Sequence, residues 1–276
     1  MIGTLPRQAR PGRVLIVAGS DSGGGAGIQA DLKTVMALGG YGTTAVTALT
    51  AQNTLGVQGV QPVPPGFVRQ QMRSVLDDIG TDAVKTGMLG TADMVAAVAA
   101  ELRGVGVPVV VDPVMVAKGG ARLLDDDAVA AVLRELLPLA ALLTPNIPEA
   151  EALLGRSIPD AAAALDAARA LLDLGARAVL LKGGHLHGPE VEDILATPDG
   201  LEVIRSRRIS TAHTHGTGCT LASAVAVGLA QGMALDAAVR RAGAYVHAAI
   251  LAAPGLGGGH GPLQHAVAVP AGFTAA

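Results

Sequence analysis

The sequence is poor in aromatic rings, cysteine and lysine, and each shortage excludes something. Two Phe, two Tyr and no Trp leave no stacking platforms for single-stranded nucleic acid. The single cysteine, Cys219, cannot close an internal disulfide or build a cysteine-rich zinc site. Among 20 basic residues, only Lys33, Lys85, Lys118 and Lys182 are lysines. A formal charge of −3 gives no footprint for nucleic acid or an anionic membrane. There is no Ser/Gly linker, like-charge block or internal repeat, and no signal-peptide core, since the run Val14–Ala18 is too short. The 20 uncharged residues 216–235 have the length of a membrane span. Their four glycines and interspersed Thr, Ser and Gln instead predict a helix buried inside a domain.

What is present points to an α/β protein. Of 276 residues, 50% are hydrophobic, mostly Ala, Val and Leu, and only 16% are charged, which excludes global disorder. Short β-branched runs predict strands at 14–18, 43–48, 82–86, 107–112, 140–144 and 178–182. Ala/Leu-rich stretches predict helices at 28–38, 66–79, 92–103, 126–137, 148–154, 160–174, 217–231 and 235–252. Continuous apolar strands between helices imply a mainly parallel sheet covered on both faces. The uncharged segment 49–64 is expected as a small flap, and 192–209 as an edge hairpin around Pro198-Asp199-Gly200. One domain is expected over 13–266, with tails at 1–12 and 267–276.

Ligands of such sheets bind beyond the carboxyl ends of the strands. After the first strand comes Gly19-Ser20-Asp21-Ser22-Gly23-Gly24-Gly25-Ala26-Gly27, then a helix start with Asp31. A glycine-rich turn of this kind exposes backbone N–H groups at a positive helix end. It has no Gly-Lys-Ser/Thr of a P-loop, no third glycine of a dinucleotide fingerprint and no nucleophile Ser. Gln52 in the flap has the donor and acceptor to pair with an amino group beside a ring nitrogen, or is simply solvated. Met88 follows Lys85-Thr86-Gly87 and reads equally as core. Asp112, at the end of the most apolar strand, suits a Mg²⁺ ion shared with phosphate and water, or caps a loop. Lys118, before two glycines, is a candidate phosphate cover or a solvated charge.

Asn146 and Glu149 in Thr144-Pro145-Asn146-Ile147-Pro148-Glu149 read as a helix cap or as the water shell of a metal. Lys182 at a strand end needs an anion if buried. In Thr214-His215-Gly216-Thr217-Gly218-Cys219-Thr220, small residues open a helix whose first amides form an anion hole. A thiol there is expected to have a depressed pKa; the alternative is an inert buried side chain. His215 reads as a loop histidine. Together these parts suit phosphoryl transfer by positioning and charge stabilisation.

The set resembles the hydroxymethylpyrimidine/phosphomethylpyrimidine kinases of thiamine biosynthesis, within the ribokinase-like superfamily. The carrying stretches are AGSDSGGGAGIQADLKT (18–34), TALTAQNT (47–54), KTGMLG (85–90), DPVMVAKGGARLL (112–124), TPNIPEAEALLG (144–155), LLKGGH (180–185), THGTGCT (214–220) and GGGHGPLQH (257–265). The resemblance implies a three-layer ribokinase-like fold. It implies ATP-dependent phosphorylation of 4-amino-5-hydroxymethyl-2-methylpyrimidine and of its monophosphate, in the cytoplasm, by a homodimer formed through flap strands. Gln52 would pair with the aminopyrimidine, and Asp31, Gly19, Ala26, Met88 and Val114 would line its pocket. Cys219 stands where most of the superfamily has an Asp base, in an anion hole that includes Gly216 and Gly218. Lys182 and Asn146 would face the nucleotide phosphates, Thr214 and Thr217 the transferred group, and Asp112 and Glu149 the Mg²⁺ shell. A monovalent cation is left open. Two positions depart from the family's usual pattern: Ser22 stands in a loop that commonly reads Asp-Pro-Ser-Gly-Gly, and Thr50 replaces a common aliphatic residue. Pyridoxal kinase is the neighbouring alternative. A non-catalytic nucleotide-binding regulator is another, opposed by the intact set of Asp112, Glu149, Lys182 and Cys219. The missing dinucleotide fingerprint disfavours a hydride-transferring oxidoreductase.

Overall fold

The computed structural model describes residues 11–115 and 123–268. In chain order the first half contains β1 (Arg13–Ala18), α1 (Gly27–Ala37), β2 (Tyr41–Val46), β3 (Ala48–Asn53), β4 (Gly56–Pro62), α2 (Pro65–Asp78), β5 (Ala83–Thr86), α3 (Ala92–Leu102) and β6 (Val109–Val111). The second half contains α4 (Asp126–Ala131), β7 (Leu142–Leu143), α5 (Ile147–Leu154), α6 (Ala161–Asp173), β8 (Val179–Leu181), β9 (Glu190–Thr197), β10 (Gly200–Arg207), α7 (Thr217–Ala230) and α8 (Leu235–Leu251).

An eight-stranded sheet runs β10-β9-β8-β7-β6-β5-β1-β2. Every pairing from β8 to β2 is parallel, and β9 and β10 add an antiparallel edge hairpin. Side chains alternate across a strand, so β1 feeds two cores. Leu15 and Val17 join Met72, Val95, Val98 and Leu171 on one face. Val14, Ile16 and Ala18 join Val35, Val225, Ala242 and Tyr245 on the other. Helices α2 to α6 cover the first face, and α1, α7 and α8 the second. This is the three-layer ribokinase-like arrangement.

Two expected strands come out three residues shorter. The run 140–144 pairs only at Leu142–Leu143, because the Ala140 N–H closes the preceding turn onto Leu137 O (3.0 Å) and Pro145 has no N–H. The run 107–112 pairs at Val109–Val111, after Pro108. The expected helix 126–137 regularly winds only to Ala131 and then loosens into a π turn at Val132–Leu136. Gly12, expected in a loose tail, is buried: its carbonyl accepts the Tyr41 N–H (2.9 Å), and a Cβ would come within 2.9 Å of the Ala230 carbonyl. The rest of the expected N-terminal tail up to residue 10, and residues 269–276, lie outside the described residues.

The uncharged stretch is α7, whose nine residues Thr220–Gly228 are all buried. It carries no charge because it has no wet face, being wedged between the sheet, α1 and α8. Among the described residues no helix is long and apolar enough to cross a membrane. The segment 49–64 forms a separate antiparallel ribbon, β3–β4, with a bulge between Ala51 and Gln52.

Candidate active site

Glycines dictate how α7 begins. Gly216 is its N-cap with φ +84°, a conformation that favours glycine. A Cβ there would run into the Gly25 carbonyl. The first loop and the start of α7 therefore touch backbone to backbone. A helix leaves its first amides without internal acceptors. Among the described residues, the N–H groups of Gly218 and Cys219 have none. A Cβ on Gly218 would lie 3.1 Å from Lys182 Nζ. The positive helix end and the lysine thus face the same small volume.

Lys182 leaves the end of β8. Its ammonium donates to Asp112 Oδ1 at 3.0 Å and lies 3.9 Å from Glu149 Oε2. The anion that a buried lysine requires is thus supplied by two carboxylates, and burial, though opposing the ammonium's charge, is outweighed by Asp112 and Glu149, which hold its pKa above the ordinary value. Glu149 is pushed up to about 7, by burial first and by Asp112 second to Lys182's opposing pull. Asn146 and Glu149 form a reciprocal capping box: Asn146 Oδ1 accepts the Glu149 N–H (2.9 Å), and Glu149 Oε2 accepts the Asn146 N–H (2.8 Å). The cap reading of this pair is therefore real, and it also aims Glu149 at Lys182.

The first loop is organised by Asp21, which is 2% exposed. Its carboxylate accepts the N–H groups of Gly23 (2.8 Å), Gly25 (3.0 Å) and Ala26 (2.8 Å). Oδ2 also lies 2.8 Å from His215 Nε2. Burial opposes the charge, but the His215 ring and the Ala26 and Gly23 amides outweigh it and hold the Asp21 carboxyl below its ordinary value. His215, expected as a loop residue, therefore ties the first loop to the helix start. Gly25 must be glycine here, since a Cβ would come within 2.6 Å of the ring. The Gln52 amide reaches His215 Nε2 at 3.3 Å. The bulge sets Gln52 out of step with its neighbours, the kind of re-aiming that bulges produce.

Asp31 and Cys219 differ from expectation. Asp31, expected to line the pocket, has no exposed surface. Its carboxylate accepts from Lys85 Nζ at 3.0 and 2.9 Å and from Ser223 Oγ at 2.7 Å. It underlies the site rather than facing it. Burial opposes the charge on Lys85, but Asp31 outweighs it, with Cys219 and Asp112 adding to the effect, and the ammonium's pKa is raised. The thiol of Cys219, expected to be acidified by the helix end, is instead pushed up to about 12. Burial is the main cause; Lys85 and the Gly27 N–H pull it down, while Asp31 and Asp112 push it further up.

The remaining candidates fall around this frame. A Cβ on Gly19 would collide with Met88 Cε, so these two share one wall. Ala26 caps α1 beside Gly216. Val114 lines a small cavity with Gly87, Pro113 and Asp112. The Thr217 hydroxyl donates back to the Thr214 carbonyl at 2.8 Å. Lys118 lies outside the described residues. Sequence reasoning did not find the Asp31–Lys85 and Asp21–His215 pairs, whose only signal was a buried-type charge at a strand or helix end.

Comparison with known proteins fits this geometry. The model of a family described as phosphomethylpyrimidine kinase matches residues 21–264. The chain belongs to the phosphomethylpyrimidine kinase family. It is 52% identical over 255 residues to the hydroxymethylpyrimidine/phosphomethylpyrimidine kinase of Streptomyces coelicolor, covering 92% of this chain and 94% of that protein. It is 57% identical to a thiamine biosynthesis bifunctional protein of Geobacter sulfurreducens, covering 93% of this chain but spanning only 53% of that protein. Among solved structures, an ADP complex of Bacillus subtilis pyridoxal kinase superposes with a TM-score of 0.86 at 38% identity, covering 92% of this chain and 97% of that one. A Clostridium difficile phosphomethylpyrimidine kinase gives 0.76 at 40% identity, covering 86% and 98%. The family's phosphotransferase chemistry and its use of ATP thus come with the fold.

Proposed function

We propose that this protein phosphorylates 4-amino-5-hydroxymethyl-2-methylpyrimidine with ATP, and then its monophosphate to the diphosphate, in thiamine biosynthesis. The observation that carries the phosphoryl site is the meeting of the free Gly218 and Cys219 amides with Lys182 and Asp112. The transferred phosphoryl group sits against those amides, and Thr214 to Gly218 wrap it. Lys182 lies one small residue away, where it balances charge that grows in the transition state. Asn146 borders the same carboxylates and faces the nucleotide phosphates. Gln52, Gly19, Ala26, Met88 and Val114 hold the pyrimidine, with Asp31 beneath them.

The donor set tests the expected Mg²⁺. Asp112 and Glu149 already share Lys182, and among the described residues no group of three or more metal-ligating side chains is present. That does not make a protein cage. It suits an ion carried by phosphate oxygens and water, with one or two carboxylates at its edge. When bound, the ion would screen phosphate charge.

The alcohol attacks the γ-phosphorus in line while the bond to ADP breaks. A thiol pushed up to about 12 keeps its own proton near neutral pH, which disfavours Cys219 as the base that takes the alcohol's proton. Cys219 therefore positions the alcohol, and the proton passes to the phosphoryl group. A loose transition state needs little base. The β3–β4 ribbon exposes Leu49, Leu55 and Val60, an apolar surface that a second copy of the chain would cover in a homodimer.

The test is ADP release with Mg-ATP against the hydroxymethylpyrimidine, its monophosphate, pyridoxal and ribose, with product masses recorded. Turnover of both pyrimidines is the expected result. Turnover of pyridoxal alone keeps the phosphoryl site and discards the pyrimidine pocket; the TM-score of 0.86 to a pyridoxal kinase is why that arm is included. ATP binding without turnover of any acceptor would make the protein a non-catalytic nucleotide binder.

A further inference from the structure

The surroundings of Gln52 fix which way its side-chain amide points. Amide oxygen and nitrogen have the same shape, and only their partners tell them apart. On one side Gln52 Nε2 stands 3.3 Å from His215 Nε2. That nitrogen also lies 2.8 Å from Asp21 Oδ2, and an ionised carboxylate only accepts. His215 Nε2 therefore carries a proton, given chiefly to Asp21, and its N–H presents the amide with a donor edge that only an amide oxygen can share. On the other side Gln52 Oε1 stands 3.4 Å from Thr50 Oγ1. The one Thr50 hydroxyl proton goes to the Ser20 carbonyl at 2.9 Å, so Thr50 offers the amide an acceptor. As placed, an amide N–H donor faces the His215 N–H and the amide oxygen faces the Thr50 lone pairs; a half-turn of the amide, with Oε1 toward His215 and Nε2 toward Thr50, satisfies both neighbours.

The backbone of the same residue is held as firmly. Ser22 Oγ accepts the Gln52 N–H and donates to the Gln52 carbonyl, both at 2.8 Å. Ser22 and Thr50 thus both touch Gln52.

We infer that Asp21–His215, Thr50 and Ser22 form a clamp that locks the Gln52 amide in one orientation and thereby selects the acceptor ring by its hydrogen-bond polarity. An amide has two N–H donors and two acceptor sites. The clamp uses one of each, leaving one acceptor beside one donor. Such an edge matches a ring that presents an amino group next to an unprotonated nitrogen. It opposes a ring that presents a carbonyl next to an N–H. This rests on the reading of Gln52 as the pyrimidine contact given above; the residues of the clamp are positioning residues.

Two measurements test it. In ¹⁵N-labelled full-length protein without substrate, the Gln52 side-chain NH₂ should give nuclear Overhauser cross-peaks to the Thr50 methyl and not to the His215 ring; the reverse pattern overturns the orientation. The second measurement is kcat/KM for the aminopyrimidine against its 4-oxo analogue. Thr50→Val should narrow that preference about tenfold, the worth of one hydrogen bond, because the amide is then free to turn. Thr50→Ser should restore it. A preference unchanged in Thr50→Val overturns the selection. Gln52→Ala separates the two levels. If it leaves KM for the pyrimidine intact, the substrate reading fails and the selection with it, while the cross-peaks still decide the orientation.

Discussion

Lys85 and Lys182 stand at the carboxyl ends of two strands of one sheet, and each donates to an aspartate at 2.9 to 3.0 Å. Lys85 is sealed: neither it nor Asp31 has exposed surface, and Ser223 fills a further acceptor site on the carboxylate. Lys182 is 13% exposed at its side chain, shares its charge between Asp112 and Glu149, and borders the unsatisfied start of α7. The difference is one of access. A closed ion pair lies out of a ligand's reach and can only hold structure and field. An open one, shared between two carboxylates, can turn to a phosphate when one arrives.

The largest effect expected from breaking this contrast is on turnover. Lys182→Met should lower kcat by about 10²- to 10³-fold, the range for losing one preorganised charge donor. KM for the pyrimidine should change far less, as steady-state kinetics with each substrate varied will show. Next, Lys85→Met strands a fully buried carboxylate and should cost about 3–5 kcal/mol of stability, read by urea unfolding. Asp31→Asn combined with Lys85→Met should recover part of that loss. If the two lysines gave the same split between kcat and stability, access would not be what distinguishes them.

Both lysines were visible as strand-end residues in the sequence, and their strands were placed to within a few residues. The sequence did not show which carboxylate each would meet. Asp31 and Lys85 are 54 positions apart, and Asp21 and His215 are 194 apart, distances that no local pattern encodes. The Cys219 thiol was misread for a related reason. Its position at a helix start was legible, but the surroundings that raise its pKa, desolvation first and then the charges of Asp31 and Asp112, were not, and they outweigh the helix end even though Cys219 itself is only partly buried.

Smaller effects sharpen the picture around Lys182. Glu149 titrates near 7 when folded, against an ordinary value of 4.5. Because the folded value is raised, its contribution to stability is full below about pH 4.5 and is lost as pH rises through about 7. Glu149→Gln should flatten that decline in unfolding free energy measured between pH 4.5 and 8. The smallest change is expected in the pH profile of Cys219→Ser. Turnover should fall, but the shape of kcat against pH from 6 to 9 should match the parent, since the thiol does not titrate there. Loss of a basic limb in the variant would return the thiolate to the mechanism.

The most direct test of the account is a one-pot competition. Equal concentrations of the hydroxymethylpyrimidine and pyridoxal are given limiting Mg-ATP, and the phosphorylated products are weighed by mass spectrometry, which reads the ratio of kcat/KM values. The account predicts phosphorylated pyrimidine as the dominant early product, with the diphosphate following. Pyridoxal phosphate as the dominant product would contradict it.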